Sequence, residues 1–329
     1  MPKFYDNSRR TNFETCNRYY YWRDIRDLRQ FGKAPALDFG TSWHAAMDTL
    51  WVAAKSSVSL TDMEIVELAH GTFNETWEAL GHPSLENMSE DEHKYLYKAR
   101  NPETAFFMLV NYLAHRKNFI NEVELLETEK PFAVPLDISD TETFYVGRLD
   151  KTVLWNGRVW VVEHKTTSWG SGKSGINQTY LESFDPNSQV EGYQHAGRML
   201  YGKKFKGVLV DAALVYASCH DKFALLPIES SWAKLDQWLW ETKRQFKLLE
   251  INKEALKEVK KDDEFMAAFP RNTKNCIQFM RPCPYMDLCK TVSNPASEPD
   301  RIPMGYTKDH WSPIKHLDLG ALGIEGSDD

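Results

Sequence analysis

Long apolar runs are missing from this sequence. A membrane-spanning helix needs about 20 consecutive apolar residues, and the chain has no such run. The opening residues, MPKFYDNSRR, also lack the apolar core of a secretory signal. From these two absences we expect no membrane association and a cytoplasmic location.

An excess of positive charge is missing as well. The chain has 40 Lys and Arg against 47 Asp and Glu, a net charge of −7. It is therefore not a general polybasic binder of nucleic acid, and a polyanion would need a local basic groove or a bound metal. No segment matches the phosphate-binding pattern GxxxxGK[ST], so no ATP-driven motor is built in.

Cysteine is scarce, with five in 329 residues, yet Cys276, Cys283 and Cys289 lie close together. Clustered cysteines in a reducing compartment are more often metal ligands than disulfides. A four-sulfur site needs one more ligand, either Cys16 or Cys219. Cys219 follows an apolar run, where cysteine is usually a small buried hydrophobe, so Cys16 is the better partner. The bound group would be a [4Fe–4S] cluster or Zn²⁺, and unpaired structural cysteines are the alternative.

A strong hairpin signal is present between residues 147 and 167, GRLDKTVLWNGRVWVVEHKTT. Asn156-Gly157 favours a two-residue type I′ turn, which needs positive φ at both central positions. Paired residues then lie equally far from the turn. Asp150 is predicted to face Glu163, and Arg148 to face Lys165.

This pairing has a chemical consequence. Opposed carboxylates repel each other, so Asp150 and Glu163 are best accommodated with a cation between them. Mg²⁺ or Mn²⁺ suits an all-oxygen site that keeps water ligands for chemistry. Lys165, on the same face, could orient an attacking water or neutralise developing charge. The alternative is a solvated hairpin face with ordinary surface acids.

The periodicity of the remaining chain predicts a mixed α/β fold. Thr41 or Ser42 can cap a helix that has His44 in its first turn. Residues 61–120 form a helical block in which we find no chemistry, and a strand pattern begins at Val123. The order strand, strand, strand, helix, strand predicts a mixed β-sheet flanked by helices.

Two features follow the hairpin. The polar loop SWGSGKSGINQ, residues 168–178, is predicted to be mobile and to cover an active site. In the next helix, Gln189 and Tyr193 lie four positions apart and so share a face.

The N-terminal stretch through Lys33 is basic and aromatic, with a helix predicted to start near Asn12 and to carry Cys16. Its arginines, Arg18 among them, could hold phosphates while its aromatic rings stack on bases. Alternatively, the aromatic side chains pack into the core and leave a solvated basic face.

These features predict five segments along the chain. They are an N-terminal segment that contributes one cluster cysteine (1–38), a helical region with His44 (39–120), a core with the hairpin (121–265), a cysteine cluster segment (266–292) and a C-terminal tail (293–329).

Taken together, the residues resemble the PD-(D/E)XK nuclease superfamily. Its RecB-like branch carries His, GxxD, (D/E)xK and QxxxY in this order, matched here by His44, Asp150, Glu163 with Lys165, and Gln189 with Tyr193. The four cysteines Cys16, Cys276, Cys283 and Cys289 resemble the iron–sulfur members of that branch, which include CRISPR-associated exonucleases, the AddB nuclease domain and standalone phage exonucleases. One spacing differs, since six residues separate Cys276 from Cys283 and the best-known pattern has two.

The resemblance implies a restriction-endonuclease-like fold: a mixed β-sheet core flanked by helices, with a helical insertion and an iron–sulfur (or zinc) stapled N/C-terminal subdomain. It also implies a role for each matched residue. Mg²⁺ or Mn²⁺ would be bound by His44, Asp150, Glu163 and the backbone carbonyl of His164. Lys165 would position the water, and Gln189 and Tyr193 would hold the lysine and the DNA backbone. Apart from the resemblance, Arg18 and Arg148 are predicted to contact DNA.

The implied function is metal-dependent hydrolysis of DNA, as an exonuclease on single-stranded or frayed ends. Recombination, repair or phage DNA processing in a bacterial or phage-infected cell would be the setting, and a recombination protein or helicase is compatible as a partner. Two alternatives are a non-catalytic, cluster-containing DNA-binding subunit and a zinc protein unrelated to nucleases. Cleavage polarity and oligomeric state are left open.

Overall fold

The computed structural model describes residues 2–320 except 138–139, 230, 279, 299, 311, 316 and 319. Its α-helices are α1 (Asn7–Thr15), α2 (Asn17–Tyr20), α3 (Pro35–Ala54), α4 (Asp62–Ala79), α5 (Pro102–Glu122), α6 (Gln178–Glu182), α7 (Ser188–Tyr201), α8 (Trp232–Lys257) and α9 (Met286–Thr291). Its strands are β1 (Lys3–Tyr5), β2 (Leu28–Gln30), β3 (Glu124–Asp137), β4 (Asp140–Trp155), β5 (Arg158–Thr167), β6 (Gly170–Ser171), β7 (Gly175–Ile176), β8 (Phe205–Leu214), β9 (Phe223–Ile228), β10 (Ile277–Gln278), β11 (Arg281–Pro282) and β12 (Tyr306–Lys308). Among these described helices, none is both long and apolar enough to cross a membrane.

Strand pairing gives one mixed sheet in the order β1-β4-β5-β8-β9, with β3 also paired to β4. β5 and β8 run parallel, whereas β4 with β5 and β8 with β9 run antiparallel. Helix α3 packs against β5, and α7 packs against β5 and β8. The predicted mixed α/β fold is confirmed, and the arrangement fits a restriction-endonuclease-like core.

The chain divides into two compact units. The first comprises Met1–Gly32, Ala133–Gly147 and Trp232–Asp329, and the second comprises Lys33–Phe132 and Arg148–Ser231. The five segments inferred from the sequence stay predictions.

The core of the second unit is shared by three helices and the sheet. Trp51 of α3, Trp77 of α4 and Leu109 of α5 are fully buried in one apolar cluster with Val162 of β5 and Leu209 of β8. The helical block between residues 61 and 120 therefore supplies part of the core that covers the sheet, since removing apolar surface from water is the main force that holds such layers together.

The β4–β5 hairpin has the predicted register. Asn156 and Gly157 have φ of 51° and 73°, which fits the turn that their sequence predicts. The ladder pairs Lys151 with Val162, and Asp150 and Glu163 are the next residues along their strands.

Helix α3 begins earlier than predicted. Its first residue is Pro35, not a residue after Thr41 or Ser42, because proline is well suited to a first helical turn. The two hydroxyl groups instead donate to main-chain carbonyls four residues earlier, at 3.2 and 2.9 Å. As a result His44 lies near the middle of α3 and not in its first turn.

The N-terminal helical region is also divided differently. Helix α1 begins at Asn7, where the Asp6 carboxylate caps it by accepting the Arg9 N–H at 2.6 Å. Cys16 is extended, with φ of −168°, between α1 and α2. The predicted helix from Asn12 that carries Cys16 is therefore wrong, and the cysteine lies at a break between two helices.

Alanine substitutions at two glycines would test how tightly α7 packs on β8. A Cβ atom on Gly197 of α7 would lie 2.2 Å from the Phe205 ring, whereas one on exposed Gly71 of α4 would touch nothing within 4 Å. We expect Gly197→Ala to lower the free energy of unfolding by about 1–3 kcal/mol through overpacking. Gly71→Ala should raise it by about 0.5–1 kcal/mol through helix propensity. Urea unfolding of both variants measures the difference, and equal effects would contradict close packing at Gly197.

Candidate active site

The predicted site residues of the second unit come from four elements. Helix α3 carries His44, β4 carries Asp150, β5 carries Glu163 and Lys165, and α7 carries Gln189 and Tyr193. Because side chains alternate along a strand, Glu163 and Lys165 project from the same face of β5. The structure brings all six side chains into one connected group.

Asp150 is buried and bonded on two sides. One of its oxygens accepts the main-chain N–H of His164 at 3.0 Å and lies 2.9 Å from Nδ1 of His44. Burial alone would raise the pKa of Asp150, but His44 and then Lys151 outweigh burial and hold it well below its usual range. Asp150 is therefore ionised at neutral pH, and it in turn raises the pKa of His44 against the opposing effect of burial.

Glu163 is in the opposite electrostatic situation. Only 2% exposed, it has one oxygen 2.5 Å from the Lys165 ammonium, while Oε2 has no hydrogen-bond partner among the described residues. Burial, and after it the charge of Asp150, raises the pKa of Glu163 to about 7. The site therefore contains one firmly ionised carboxylate beside one that readily takes up a proton.

A line of hydrogen bonds leads away from Glu163. The Lys165 ammonium donates to the Gln189 side-chain oxygen at 2.9 Å, and the Gln189 amide donates to the Tyr193 hydroxyl at 3.0 Å. Burial lowers the pKa of Lys165, but the charge and hydrogen bond of Glu163 more than compensate and leave it raised. The ammonium group is thus charged and held from two sides.

The donor types at this site fit a hard divalent cation. Carboxylate oxygens are ligands that suit Mg²⁺ or Mn²⁺, and the Oε2 atom of Glu163 is a buried acceptor without a hydrogen-bond partner among the described residues. Over the described parts of the chain, however, no group of three or more His, Cys, Asp and Glu side chains is arranged to hold a metal. His44 bonds to Asp150, and Lys165 bonds to Glu163, so the protein's own cations contact both acids. A ligand role for the His164 carbonyl stays a prediction.

A cleft of about 540 Å³ beside these residues contains an acid pair that sequence reasoning missed. His44, Asp48, Glu129, Arg148 and Lys165 are among its lining residues. Burial, followed by the charge of Asp48, raises the pKa of Glu129 to about 7. Asp48 follows His44 by four positions on α3, so the i, i+4 rule could have found it. Glu129 lies far from the motifs and carried no such signal.

Arg148 stands at this cleft with its side chain 48% exposed and ion-paired to Glu129. Its partner Glu129 is a neighbour that the sequence pattern did not supply. The predicted contact of Arg148 with DNA stays a prediction.

A second buried polar group lies on β8, the strand that pairs with β5. Asp211 of β8 accepts a hydrogen bond from the Tyr112 hydroxyl at 2.7 Å and two from the Arg116 guanidinium, the shorter at 2.8 Å. Asp211 is the register partner of His164, whose ring is fully buried and keeps a pKa well below the usual value, chiefly because of burial. Since a buried polar network fixes geometry, this network holds β8 in place, the strand that pairs with β5.

The four predicted cluster cysteines all lie in the first unit. Their thiols are partly buried, and none of the described cysteines is in a disulfide. Burial raises the pKa of Cys283, and the neighbouring Cys289, Cys16 and Cys276 raise it further. The four sulfur atoms are therefore electrostatic neighbours, although they are not arranged as a metal-holding group within the described residues.

Local hydrogen bonds position three of these cysteines. The Asn272 N–H donates to the Cys16 sulfur at 3.2 Å, and the Cys283 N–H donates to the Cys276 carbonyl at 2.8 Å. Cys219 belongs to the second unit, where its thiol donates to Asp221 at 3.0 Å. Cys16 is thus in the same unit as the other three cysteines and Cys219 is not, while the choice of Cys16 as the fourth ligand stays a prediction.

Arg18 is not at a surface. It is 5% exposed, and its guanidinium donates to the main-chain carbonyls of Phe269 at 2.9 Å and Met266 at 3.2 Å. A guanidinium that bonds buried carbonyls has no free edge for a phosphate. This environment argues against the predicted contact of Arg18 with DNA.

Comparison with known proteins gives a family match over most of the chain. The family model described as the PD-(D/E)XK nuclease superfamily matches residues 7–290. A solved structure from Eubacterium rectale, described as a "Putative exonuclease", is similar at 11% identity with a TM-score of 0.42, covering 88% of this chain and 94% of that chain. No curated protein matches the sequence.

The ion pair between Glu163 and Lys165 gives a testable pKa shift. In Glu163→Gln the charge that raises the pKa of Lys165 is gone while burial remains, so we expect that pKa to fall. Tyr193→Phe, which removes a hydroxyl two hydrogen bonds away, should leave it unchanged. NMR titration of ¹³C-labelled lysine in metal-free protein measures both. An unaltered Lys165 pKa in Glu163→Gln would show that the carboxylate does not control the ammonium group.

Proposed function

The chain belongs to the PD-(D/E)XK nuclease superfamily, and on that basis we propose that it is a Mg²⁺- or Mn²⁺-dependent deoxyribonuclease. The observation that carries the proposal is the buried group of Asp150, Glu163 and Lys165, in which two acids and an ammonium are close neighbours and the lysine lines a cleft. Acid–acid–lysine groups of this kind suit hydrolysis of a phosphodiester, whose transition state concentrates negative charge on phosphoryl oxygens.

The metal would be held by His44, Asp150, Glu163 and the main-chain carbonyl of His164. Bound there, it would polarise a phosphoryl oxygen and lower the pKa of a water molecule. Lys165 would orient the attacking water through the ammonium that Glu163 and Gln189 now hold. Tyr193 would fix the Gln189 amide and so keep the lysine in place.

DNA with free or single-stranded ends is the substrate we propose, with exonuclease action in recombination, repair or phage DNA processing. Arg148 is the described cation at the cleft best suited to a phosphate, because its side chain is half exposed and already accepts an anionic partner in Glu129. Since the sequence has no phosphate-binding loop of its own, unwinding of a duplex would depend on a helicase or recombination partner.

We further propose a [4Fe–4S] cluster bound by Cys16, Cys276, Cys283 and Cys289, with Zn²⁺ as the alternative. Thiolates select iron–sulfur clusters or zinc. Burial, and after it the neighbouring cysteines, raises the pKa of Cys283, and a cationic group among the sulfur atoms would favour the thiolate. The N–H of Asn272 aimed at the Cys16 sulfur is the kind of bond that tunes such clusters.

A non-catalytic, cluster-containing DNA-binding subunit is the second candidate. It is favoured by the two acids being bonded to His44 and Lys165, with no three-ligand group in the described part of the chain. The two candidates differ in metal binding. Stabilisation of the wild type by Mn²⁺ that is lost in Asp150→Ala supports the nuclease, whereas DNA affinity without such stabilisation supports the subunit.

Nuclease activity depends on two of the site residues. We expect Asp150→Ala and Lys165→Ala each to lower Mn²⁺-dependent cleavage of end-labelled DNA by about 100-fold or more, because Asp150 would hold the metal and Lys165 would orient the attacking water. Lys117→Ala is the matched control, since that lysine pairs with exposed Asp62 away from the cleft. Urea midpoints establish that the variants are folded. Undiminished cleavage by pure Lys165→Ala protein would contradict the assignment.

The proposed [4Fe–4S] cluster can be tested separately from nuclease activity. Protein purified without oxygen should contain iron and sulfide and absorb visible light, and Cys16→Ala should lose both properties because one of four ligands is gone. Cys219→Ala, which lies in the other unit, should keep them. Elemental analysis that finds zinc in place of iron would select the alternative metal. A wild-type protein with neither metal would contradict the site.

A further inference from the structure

Aromatic side chains gather where β5 and β8 end. These strands are parallel, so their carboxyl ends share one edge of the sheet. Trp169 and Tyr216 each follow their strand by two residues and are 49% and 36% exposed. Tyr180 of α6 is half-buried beside them, its ring centroid 6.4 Å from that of Trp169 at an angle of 58°. We call Trp169, Tyr180 and Tyr216 the aromatic ledge.

The ledge is continuous with the reactive group. The Tyr180 phenol is an electrostatic neighbour of Lys165 and Glu163, and it hydrogen-bonds to the side chain of Thr167. Trp169 follows Lys165 by four residues, a span of at most about 14 Å of extended chain. One surface thus leads from the ammonium group to the exposed tryptophan.

The backbone that carries Trp169 is fixed on both sides. Its N–H donates to the Thr167 hydroxyl at 3.0 Å, and its carbonyl accepts from the Asn177 N–H at 2.9 Å. Directly after it, Gly170–Ser171 pairs with Gly175–Ile176 as β6 and β7. The polar loop predicted to be a mobile cover is therefore a short hairpin anchored at both ends.

The neighbouring rings are supported as well. The Phe184 ring stands edge-on to Tyr180, with centroids 5.1 Å apart, and the Tyr216 ring lies beside Gly172. Arg100 donates to the Ser168 hydroxyl at 3.0 Å and so sets a guanidinium next to Trp169. Aromatic rings that are already ordered lose little entropy when they bind a ligand.

Half-exposed rings and a nearby cation suit an unpaired nucleobase. Each base presents a π-face, and stacking on an aromatic side chain is tolerant of sequence. In an intact duplex those faces are already stacked on one another, so the ledge would have nothing to hold. We propose that the aromatic ledge binds an unpaired base of a DNA strand whose phosphodiester lies at Lys165. This inference rests on the proposed nuclease function and assigns single-stranded DNA as the bound form.

Binding of two DNAs by one chain tests the ledge. Full-length protein carrying Lys165→Ala, which prevents cleavage, is titrated with a fluorescent oligothymidine strand and with a blunt GC-rich duplex. Adding Trp169→Ala should weaken binding of the single strand about tenfold or more and leave duplex binding within about twofold. Trp169→Phe should recover most of the affinity, because a phenyl ring still stacks.

Trp240→Ala is the matched control. That tryptophan is 61% exposed on α8 of the first unit, so its loss should change neither affinity. In a chain with Lys165 intact, Trp169→Ala should raise KM for the single strand while kcat is kept. Urea midpoints near that of the parent confirm that the variants fold.

Each remaining outcome is decisive. Unchanged single-strand affinity in Trp169→Ala, or an equal loss for both DNAs, overturns the ledge while cleavage by the wild type leaves the proposed nuclease standing. A wild type that cleaves no DNA and a Lys165→Ala chain that binds neither DNA overturn the nuclease and the ledge together.

Discussion

Repulsion between two buried carboxylates is the constraint on which the second unit depends. Asp150 and Glu163 come from adjacent strands and raise each other's energy when both are ionised. Each acid is therefore matched with a cation from a different source, His44 from α3 and Lys165 from β5 itself. Since His44 can reach Asp150 only if α3 packs closely on β5, the apolar core beneath α3 also serves the charge balance of the site.

The two acids are not stabilised equally by their partners, and this difference affects their chemistry. Asp150 gains a main-chain N–H and an imidazole, whereas Glu163 keeps one buried oxygen without a hydrogen-bond partner. The pKa of Asp150 is consequently low and that of Glu163 is raised. Paired carboxylates with separated pKa values commonly divide the roles of fixed charge and exchangeable proton. Here the same asymmetry would let a divalent cation bind at Glu163 by displacing either a proton or the Lys165 ammonium.

The sequence predicted correctly those features that depend on a few neighbouring residues. Asn156-Gly157 gave the hairpin register because a type I′ turn fixes it within a few residues. The predicted start of α3 was wrong because the Thr41 and Ser42 hydroxyl groups donate to carbonyls inside the helix. These bonds compete with a capping role. The burial of Arg18 could not be read from sequence, since its carbonyl acceptors lie about 250 positions away.

Side chains alternate along β5, so this one strand sets the direction of the proposed reactive residues and leads to the proposed binding residue beyond its end. Glu163, Lys165 and Thr167 have the same parity, and so does Trp169 just beyond the end of the strand. A register slip of one residue would turn Glu163 and Lys165 away and present Val162 and His164 in their place. The buried contact between β5 and β8 that prevents such a slip also brings Tyr216 to the edge where Trp169 stands. In the proposed complex, the register that places the two acids would also determine where a DNA strand lies, because β5 would position both the phosphate and the stacked base.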